Sequence, residues 1–247
     1  MPKQHTMTIP LRGLDGQADQ EIVLDYDPTQ VYAPKAYSSV FLVRNLEVFP
    51  DDAVLDLGTG SGVYSIGVAL MGAQQVVAVD IHESALQTAH HNAERNGVAD
   101  RISFRLGEMF DPLDPAEKFS LIVCNPPCLP DPGEIDLLIP GTIMLSGSDG
   151  TAHVTWLLEQ APDHLAPGGR VVFVYPSTSN PRKMFDLLDR NYNYHIQAEI
   201  EIPFYLHFLE MWPYLEQLKA QGVSDFHEIA GVPYRTYWLI KAQPKSG

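Results

Sequence analysis

The stretch Val54-Leu55-Asp56-Leu57-Gly58-Thr59-Gly60-Ser61-Gly62 constrains this chain more than any other. Val54 to Leu57, apolar apart from one acid, read as a short buried strand. Three glycines at alternate positions follow, and a helix is expected from about Val63 to Met71. With no Cβ in the way, a ligand can come against the backbone of such a turn, at a helix N-terminus. The spacing narrows the ligand. A dinucleotide fingerprint needs a third glycine three residues after the second. Counting from Gly58 and Gly60 that position is Val63, and from Gly60 and Gly62 it is Ser65. The Gly-Lys-Ser/Thr ending of a triphosphate loop is missing too. Asp56, two residues before the first glycine, suits a ligand with a positive charge, an ammonium or a sulfonium, and so points to S-adenosylmethionine. The alternative is a tight turn chosen only for packing.

From Asp51 onward the pattern alternates. Strands are expected at 53–57, 75–80, 101–106, 119–124 and 170–175, and helices at 63–71, 83–96, about 149–165 and about 180–190. Strands alternating with helices imply a parallel sheet covered on both faces. Asn96-Gly97 and Pro167-Gly168-Gly169 punctuate it as turns. The second strand ends in Asp80-Ile81, roughly 20 residues beyond the glycines, where an acid binds ribose hydroxyls; capping the helix near Glu83 is the other use open to Asp80. The third strand runs into Leu106-Gly107-Glu108-Met109-Phe110, and Glu108 is expected either to accept from an adenine amine or to be a solvated acid. The fourth, Leu121 to Cys124, runs into Asn125-Pro126-Pro127-Cys128. Two prolines fix the backbone and remove two donors. Asn125 then offers its oxygen at the C-terminal edge of a strand, where ligands of open α/β sheets bind. Asn125 and the Pro126 carbonyl are expected to hold an NH2 group with its lone pair aimed at a methyl donor, unless Asn125 only satisfies local backbone.

These motifs together resemble the class I S-adenosylmethionine-dependent methyltransferases, and among them the HemK-like glutamine N5-methyltransferases of peptide-chain release factors. Asp56–Gly62 resembles their cofactor loop, Asp80 their ribose-binding acid, and Asn125-Pro126-Pro127 their Asn-Pro-Pro-Tyr acceptor motif. Ser146-Gly147-Ser148-Asp149-Gly150 is similar to their Gly-Gly-x-x-Gly segment, and Val31-Tyr32-Ala33-Pro34 to the segment before the cofactor pocket. The likeness covers about residues 30–175. It implies a Rossmann-like fold with a seven-stranded, mostly parallel sheet, one antiparallel strand, and helices on both faces. The cofactor contacts it implies are Asp56, Gly58, Thr59, Gly60, Gly62, Asp80, Ile81, Glu108, Met109, Asn125 and Ser38; Asn125, Pro126, Pro127 and Tyr37 are the residues implied at the reaction.

Two departures bear on the acceptor. Cys128 replaces the motif's aromatic, so one wall of the acceptor slot is expected to be small. Tyr37 and Ser38 stand where the family has an acid and then Thr or Ser. Tyr37 is expected either to face the sulfonium as a cation–π partner, worth about 0.5–2 kcal/mol, or to be a core aromatic.

The ends are less patterned. Ile9, Leu11 and Ile22-Val23-Leu24 suggest a hairpin through Gly13–Gly16, and a helix is expected from about Lys35 to Glu47. Residues 1–50 thus form an N-terminal piece, and 51–247 the methyltransferase domain. Its last strands are expected at Ala198–Pro203 and Arg235–Ala242, with a helical insert at about 204–232. Phe204, Phe208, Met211, Trp212, Leu215 and Leu218 have helical spacing there. Pro213 is expected to kink or split that helix, at about 3 kcal/mol for an interior proline. As a lid the insert would bring Tyr205, His207, His227 and Tyr234 to an acceptor; otherwise it packs on the sheet or on a second subunit, making a homodimer.

Composition narrows the rest. The formal charge is −15 with no basic cluster, which disfavours nucleic acid. No run reaches the roughly 18 apolar residues of a membrane span, and the first residues lack a signal peptide's apolar core, so a cytoplasmic protein is expected. Cys124 and Cys128 make neither a disulfide framework nor a zinc site, which needs about four ligands; no metal is expected. The reading that follows is N-methylation of an amide or amine on a small metabolite. The alternatives are protein-glutamine N5-methylation and a reaction that consumes S-adenosylmethionine without methylating.

Overall fold

The computed structural model describes residues 5–11, 19–29, 31, 37–133, 144–204 and 211–245. The chain divides into two compact units: Met1–Asn125 with Asp163–Val172, and Pro126–Pro162 with Phe173–Gly247.

The first unit opens with β1 (His5–Leu11) and β2 (Gln20–Tyr26), paired antiparallel in a sheet of their own with Ile9 opposite Ile22. This is the expected hairpin; its turn lies outside the described residues. The leading helix α1 spans Tyr37–Arg44, three residues short of the expected Glu47. Asn45 ends it, because its amide turns back to the Phe41 carbonyl at 2.7 Å and competes with the next helical turn. Next come β3 (Ala53–Leu57), α2 (Val63–Leu70), β4 (Gln75–Asp80), α3 (Glu83–Arg95), β5 (Ile102–Leu106) and β6 (Phe119–Cys124). β3 lies between β4 and β6 and runs parallel to both, and β5 runs parallel to β4. Val54, Leu55, Val76, Ala78, Leu121 and Ile122 are almost wholly buried. Their unbroken apolar runs are what parallel strands covered on both faces require. The first part of β7 (Leu165–Pro176) lies beside β6.

The second unit holds α4 (Ala152–His164) up to Pro162, the last part of β7, α5 (Pro181–Asn191), β8 (Tyr192–Pro203), α6 (Trp212–Ala220), β9 (His227–Ile229) and β10 (Val232–Pro244). β10 runs antiparallel to both β8 and β9. The seven expected strands are all present, and β9 is an eighth in the same sheet. It exists because Ala230 and Gly231, both at positive φ (50° and 79°), form the two-residue turn that suits a twisted hairpin. β8 starts at Tyr192, six residues before the expected Ala198. Its polar, half-exposed first half carries no apolar run, and only pairing with β10 makes it a strand.

The insert is seen only in part, because residues 205–210 lie outside the described residues. Among the described residues Pro213 interrupts no helix. It stands in the first turn of α6, where an N–H has no intrahelical partner to lose. Phe204 follows β8 outside any helix, and Tyr205, His207 and Phe208 lie outside the described residues. Met211 and Leu215, both fully buried, pack with Leu129 and Phe226 inside this unit.

Candidate functional site

The glycine turn is pinned to the end of β4. The amides of Gly58 and Thr59 both donate to the Val79 carbonyl at 2.9 and 3.0 Å, and the Gly60 amide donates to Asp80 Oδ2 at 2.9 Å. The glycines serve two purposes. A Cβ at Gly58 would meet no protein atom within 4 Å, and one at Gly60 only the Gly58 carbonyl at 4.0 Å. At Gly62 a Cβ would come within 3.0 Å of Ile66 and 3.2 Å of Ala89. Gly62 lets α2 and α3 close on each other, whereas Gly58 and Gly60 border open space that a ligand can enter.

Asp56 lies under this turn, wholly buried. Its Oδ2 accepts from Thr59 Oγ1 at 2.7 Å and from the Ser65 amide at 2.9 Å. Its Oδ1 is buried with no hydrogen-bond partner among the described residues. Burial pushes the carboxyl up to about 7, against the pull of Thr59 and Ser65, and the charge of Asp80 pushes the same way. A buried carboxylate oxygen without a donor is costly. An ammonium placed there would both supply the donor and restore the charge. The orphaned oxygen beside the unobstructed Gly58–Gly60 backbone therefore fits S-adenosylmethionine, which carries an amino group.

Asp80 ends β4 and does two things at once. Oδ2 holds the Gly60 amide, and Oδ1 holds the His82 amide at 2.9 Å. The cap weighed from sequence is not formed, since His82 is the N-cap of α3 and no side chain caps it, and each Asp80 oxygen keeps a lone pair for a ribose hydroxyl. Ile81 is 54% exposed. Leu106, level with Asp80 at the end of β5, is 56% exposed. Two large apolar side chains are thus left open at neighbouring strand ends, an exposure that no residue type announces in the sequence. Glu108 is exposed and Met109 half-buried. Met109 is held at φ 48°, a left-handed conformation that strains a residue with a Cβ.

Asn125 follows β6. Cys124 pairs with Leu57, so Asn125 and Gly58 leave the sheet side by side. Asn125 Nδ2 donates to Ser38 Oγ at 3.5 Å, and Oδ1 accepts no hydrogen bond among the described residues. Ser38 is buried, while Tyr37, at the start of α1, is 52% exposed; the core reading of Tyr37 fails. Cys128 belongs to the second unit. It is buried, and burial pushes its thiol up to about 11. Its carbonyl accepts from Ser179 Oγ, and a Cβ on Gly150 would stand 2.4 Å from that carbonyl. Tyr175 OH donates to the Gly150 carbonyl at 3.1 Å. The loop after the prolines is locked from within its own unit. His227 and Tyr234 stack on each other across β9 and β10, and His227 pairs with Glu201 at 3.1 Å.

Comparison with known proteins agrees with this geometry. The family profile of ribosomal protein L11 methyltransferase (PrmA) matches residues 38–165, just over half of the chain. A putative protein N5-glutamine methyltransferase of Methanocaldococcus jannaschii is 32% identical over 178 residues, 71% of this chain and 87% of that protein. A release factor glutamine methyltransferase of Gloeobacter violaceus is 37% identical over 150 residues, covering 57% of this chain and 51% of that enzyme. The chain thus spans about half the length of the release factor enzymes it matches. In fold it is similar to a ribosomal protein L11 methylase from Lactobacillus delbrueckii subsp. bulgaricus, with a TM-score of 0.55 at 20% identity over 89% of this chain and 84% of that one. The profile match over residues 38–165 and the 32% identity to the Methanocaldococcus jannaschii protein place the chain in the PrmA-type family of class I methyltransferases, enzymes that act with S-adenosylmethionine.

Proposed function

We propose that this chain is a protein-glutamine N5-methyltransferase. The observation that carries this reading is Asn125: its oxygen is left as an acceptor at the sheet edge, level with Gly58, while its amide nitrogen is tied back to Ser38. The names of the relatives support a protein acceptor. A small-metabolite acceptor finds no such support, and two of the three features behind it have other uses. Cys128 is packed away, and Met211 and Leu215 are spent on the core of the second unit.

In this reading Asp56 takes the cofactor's ammonium, Asp80 its ribose hydroxyls, and Ile81, Glu108 and Met109 its adenine. Thr59 and the glycines shape the loop, and Tyr37 stands by the sulfonium. A bound S-adenosylmethionine supplies an electrophilic methyl group, transferred with the electron pair staying on sulfur and the amide proton released to water. The chain's own task is alignment, the larger part of catalysis when the electrophile is already activated. Asn125 Oδ1 and the Pro126 carbonyl accept the two N–H groups of the glutamine amide and turn its nitrogen toward the methyl group. Pro126 and Pro127 keep that carbonyl rigid and free of a competing donor.

The test is methyl transfer from labelled cofactor to a purified peptide-chain release factor, with the modified residue located by mass spectrometry. The expected product is a singly methylated glutamine. Asn125→Ala is expected to abolish turnover while S-adenosylhomocysteine affinity stays within about threefold, because in this reading the lost oxygen serves the acceptor and the bond to Ser38 is long. Label appearing on a small metabolite, with the release factor unmodified, would overturn the proposal.

A further inference from the structure

Asn92 has no role in the site described above, yet it is completely buried in α3 and its amide is used on both sides. Oδ1 accepts from the Asp25 amide at 2.8 Å, and Nδ2 donates to the Asp25 carbonyl and to the Ser61 carbonyl, each at 2.9 Å. Ser61 lies between Gly60 and Gly62 in the glycine turn. One helical turn on, Asn96 repeats half of this pattern. Its Oδ1 accepts from the Val23 amide at 2.9 Å, and its Nδ2 donates to the Val23 carbonyl at 2.7 Å.

The spacing makes this possible. Four residues of helix rise about 6 Å, and two residues of strand about 6.8 Å. Two asparagine amides at that interval reach alternate residues of β2, whose other edge is paired with β1. They satisfy backbone groups that an adjacent strand would otherwise take. Asn96 serves the hairpin and the Asn92 carbonyl at the end of α3. Asn92 in addition reaches across to the turn.

We propose that Asn92 is a positioning residue for the cofactor site, through which the N-terminal hairpin holds the Ser61 carbonyl. Ser61 is flanked by two residues at positive φ, Gly60 at 54° and Gly62 at 86°. Glycine reaches many other conformations at little cost, so neither glycine fixes the turn by itself. The Asn92 bond selects one of them. The hairpin is thereby part of the cofactor site, although none of its residues borders the ligand.

A matched pair of isosteric variants tests this. Asn92→Asp removes both donors next to Asp25 and Ser61, whereas Asn96→Asp removes the donor to the Val23 and Asn92 carbonyls and leaves the Asn92 side chain and its bond to Ser61 in place. Both are expected to lower the melting temperature. In titration calorimetry, Asn92→Asp is expected to weaken S-adenosylhomocysteine at least tenfold, and Asn96→Asp less than twofold. Amide exchange at Gly60 and Gly62 is expected to speed up at least tenfold in Asn92→Asp alone, with Val54–Leu57 still protected. If Asn92→Asp does not fold, Asn92→Ala against Asn96→Ala makes the same comparison without a new charge. Equal losses of affinity in both members of a pair, or no loss in either, would overturn the proposal. No acceptor enters the assay, so the result is independent of which substrate is methylated.

Discussion

Asp52 and Asp56 sit at opposite ends of β3, both nearly or fully buried, and their surroundings differ in kind. Asp52 is saturated. Arg170 meets it with two nitrogens at 2.7 and 3.1 Å, Ser120 Oγ donates at 2.6 Å, and the Phe49 amide at 2.8 Å. Burial alone would raise its pKa, but these donors and the Arg170 charge hold it below the ordinary carboxylate value. Asp56 has two donors on one oxygen, none on the other, and a pKa pushed up to about 7. A buried carboxylate complete within its own chain has only a structural use. In the proposed function, the one left incomplete, at the end of the strand where the glycine turn begins, is the one a ligand's ammonium completes. The N-terminal end of β3 holds the fold, and the C-terminal end carries the proposed site.

The largest effect is expected from removing the saturating partner. Arg170→Met leaves Asp52 buried without its cation, and urea unfolding should show a loss of about 3–5 kcal/mol. S-adenosylhomocysteine affinity of the folded fraction should be unchanged. The Asp52 pKa is depressed, so its contribution is present above the unfolded value and lost as pH falls through the folded one. Arg170→Met should flatten the acid limb of the stability curve. A variant with wild-type stability would break the comparison from this side.

Asp56→Asn sharpens it from the other. The amide keeps an oxygen for Thr59 and Ser65, and places an NH2 where the orphan oxygen was. Between the ordinary value of 3.8 and about 7, folded Asp56 holds a proton that the unfolded chain has released. Wild-type stability without ligand therefore falls as pH rises through that window and levels off above it. Asp56→Asn should remove this slope and gain about 1–3 kcal/mol at pH 8. It should also weaken S-adenosylhomocysteine by about 1.5–3 kcal/mol, the scale of a lost hydrogen bond to a charged group. Wild-type affinity should improve as pH rises through about 7, where Asp56 ionises, and the variant should show no such step. A variant that binds as tightly as wild type would mean that Asp56 does not face the ligand.

The smallest effect belongs to one redundant donor. Ser120→Ala removes a single bond to Asp52 and should cost about 1 kcal/mol in thermal unfolding, because Arg170 and the Phe49 amide remain. A loss as large as that of Arg170→Met would show that Asp52 is less well saturated than its contacts indicate.

Much of the fold was legible because its signals are local. β3, β4 and β6 fall at the residues their apolar runs mark, and α2 and α3 come within one residue of the expected bounds. Gly58, Gly60 and Asp80 stand out by their spacing alone, and the structure joins them through the Gly60 amide and Asp80 Oδ2. What escaped was non-local. Arg170 lies 118 residues from Asp52. The exposure of Leu106 at the end of β5 is no property of a single residue type. The apolar spacing around Pro213 suggests an interrupted helix; among the described residues α6 starts at Trp212 with that proline in its first turn, and Met211 and Leu215 turn into the core.

The sequence by itself determined the order of strands and helices, the glycine turn, and the acids beside it. Backbone preferences and apolar periodicity act over a few residues, and the turn's chemistry is written in consecutive positions. Only the tertiary structure decided which buried carboxylate is complete and which is open. It also decided that two asparagines of α3 take the place of a strand beside β2, and that one of them reaches the turn. Those outcomes depend on which distant donors arrive within hydrogen-bonding distance of a buried group. Burial makes each arrival or absence worth kilocalories, yet leaves no trace in the residues on either side.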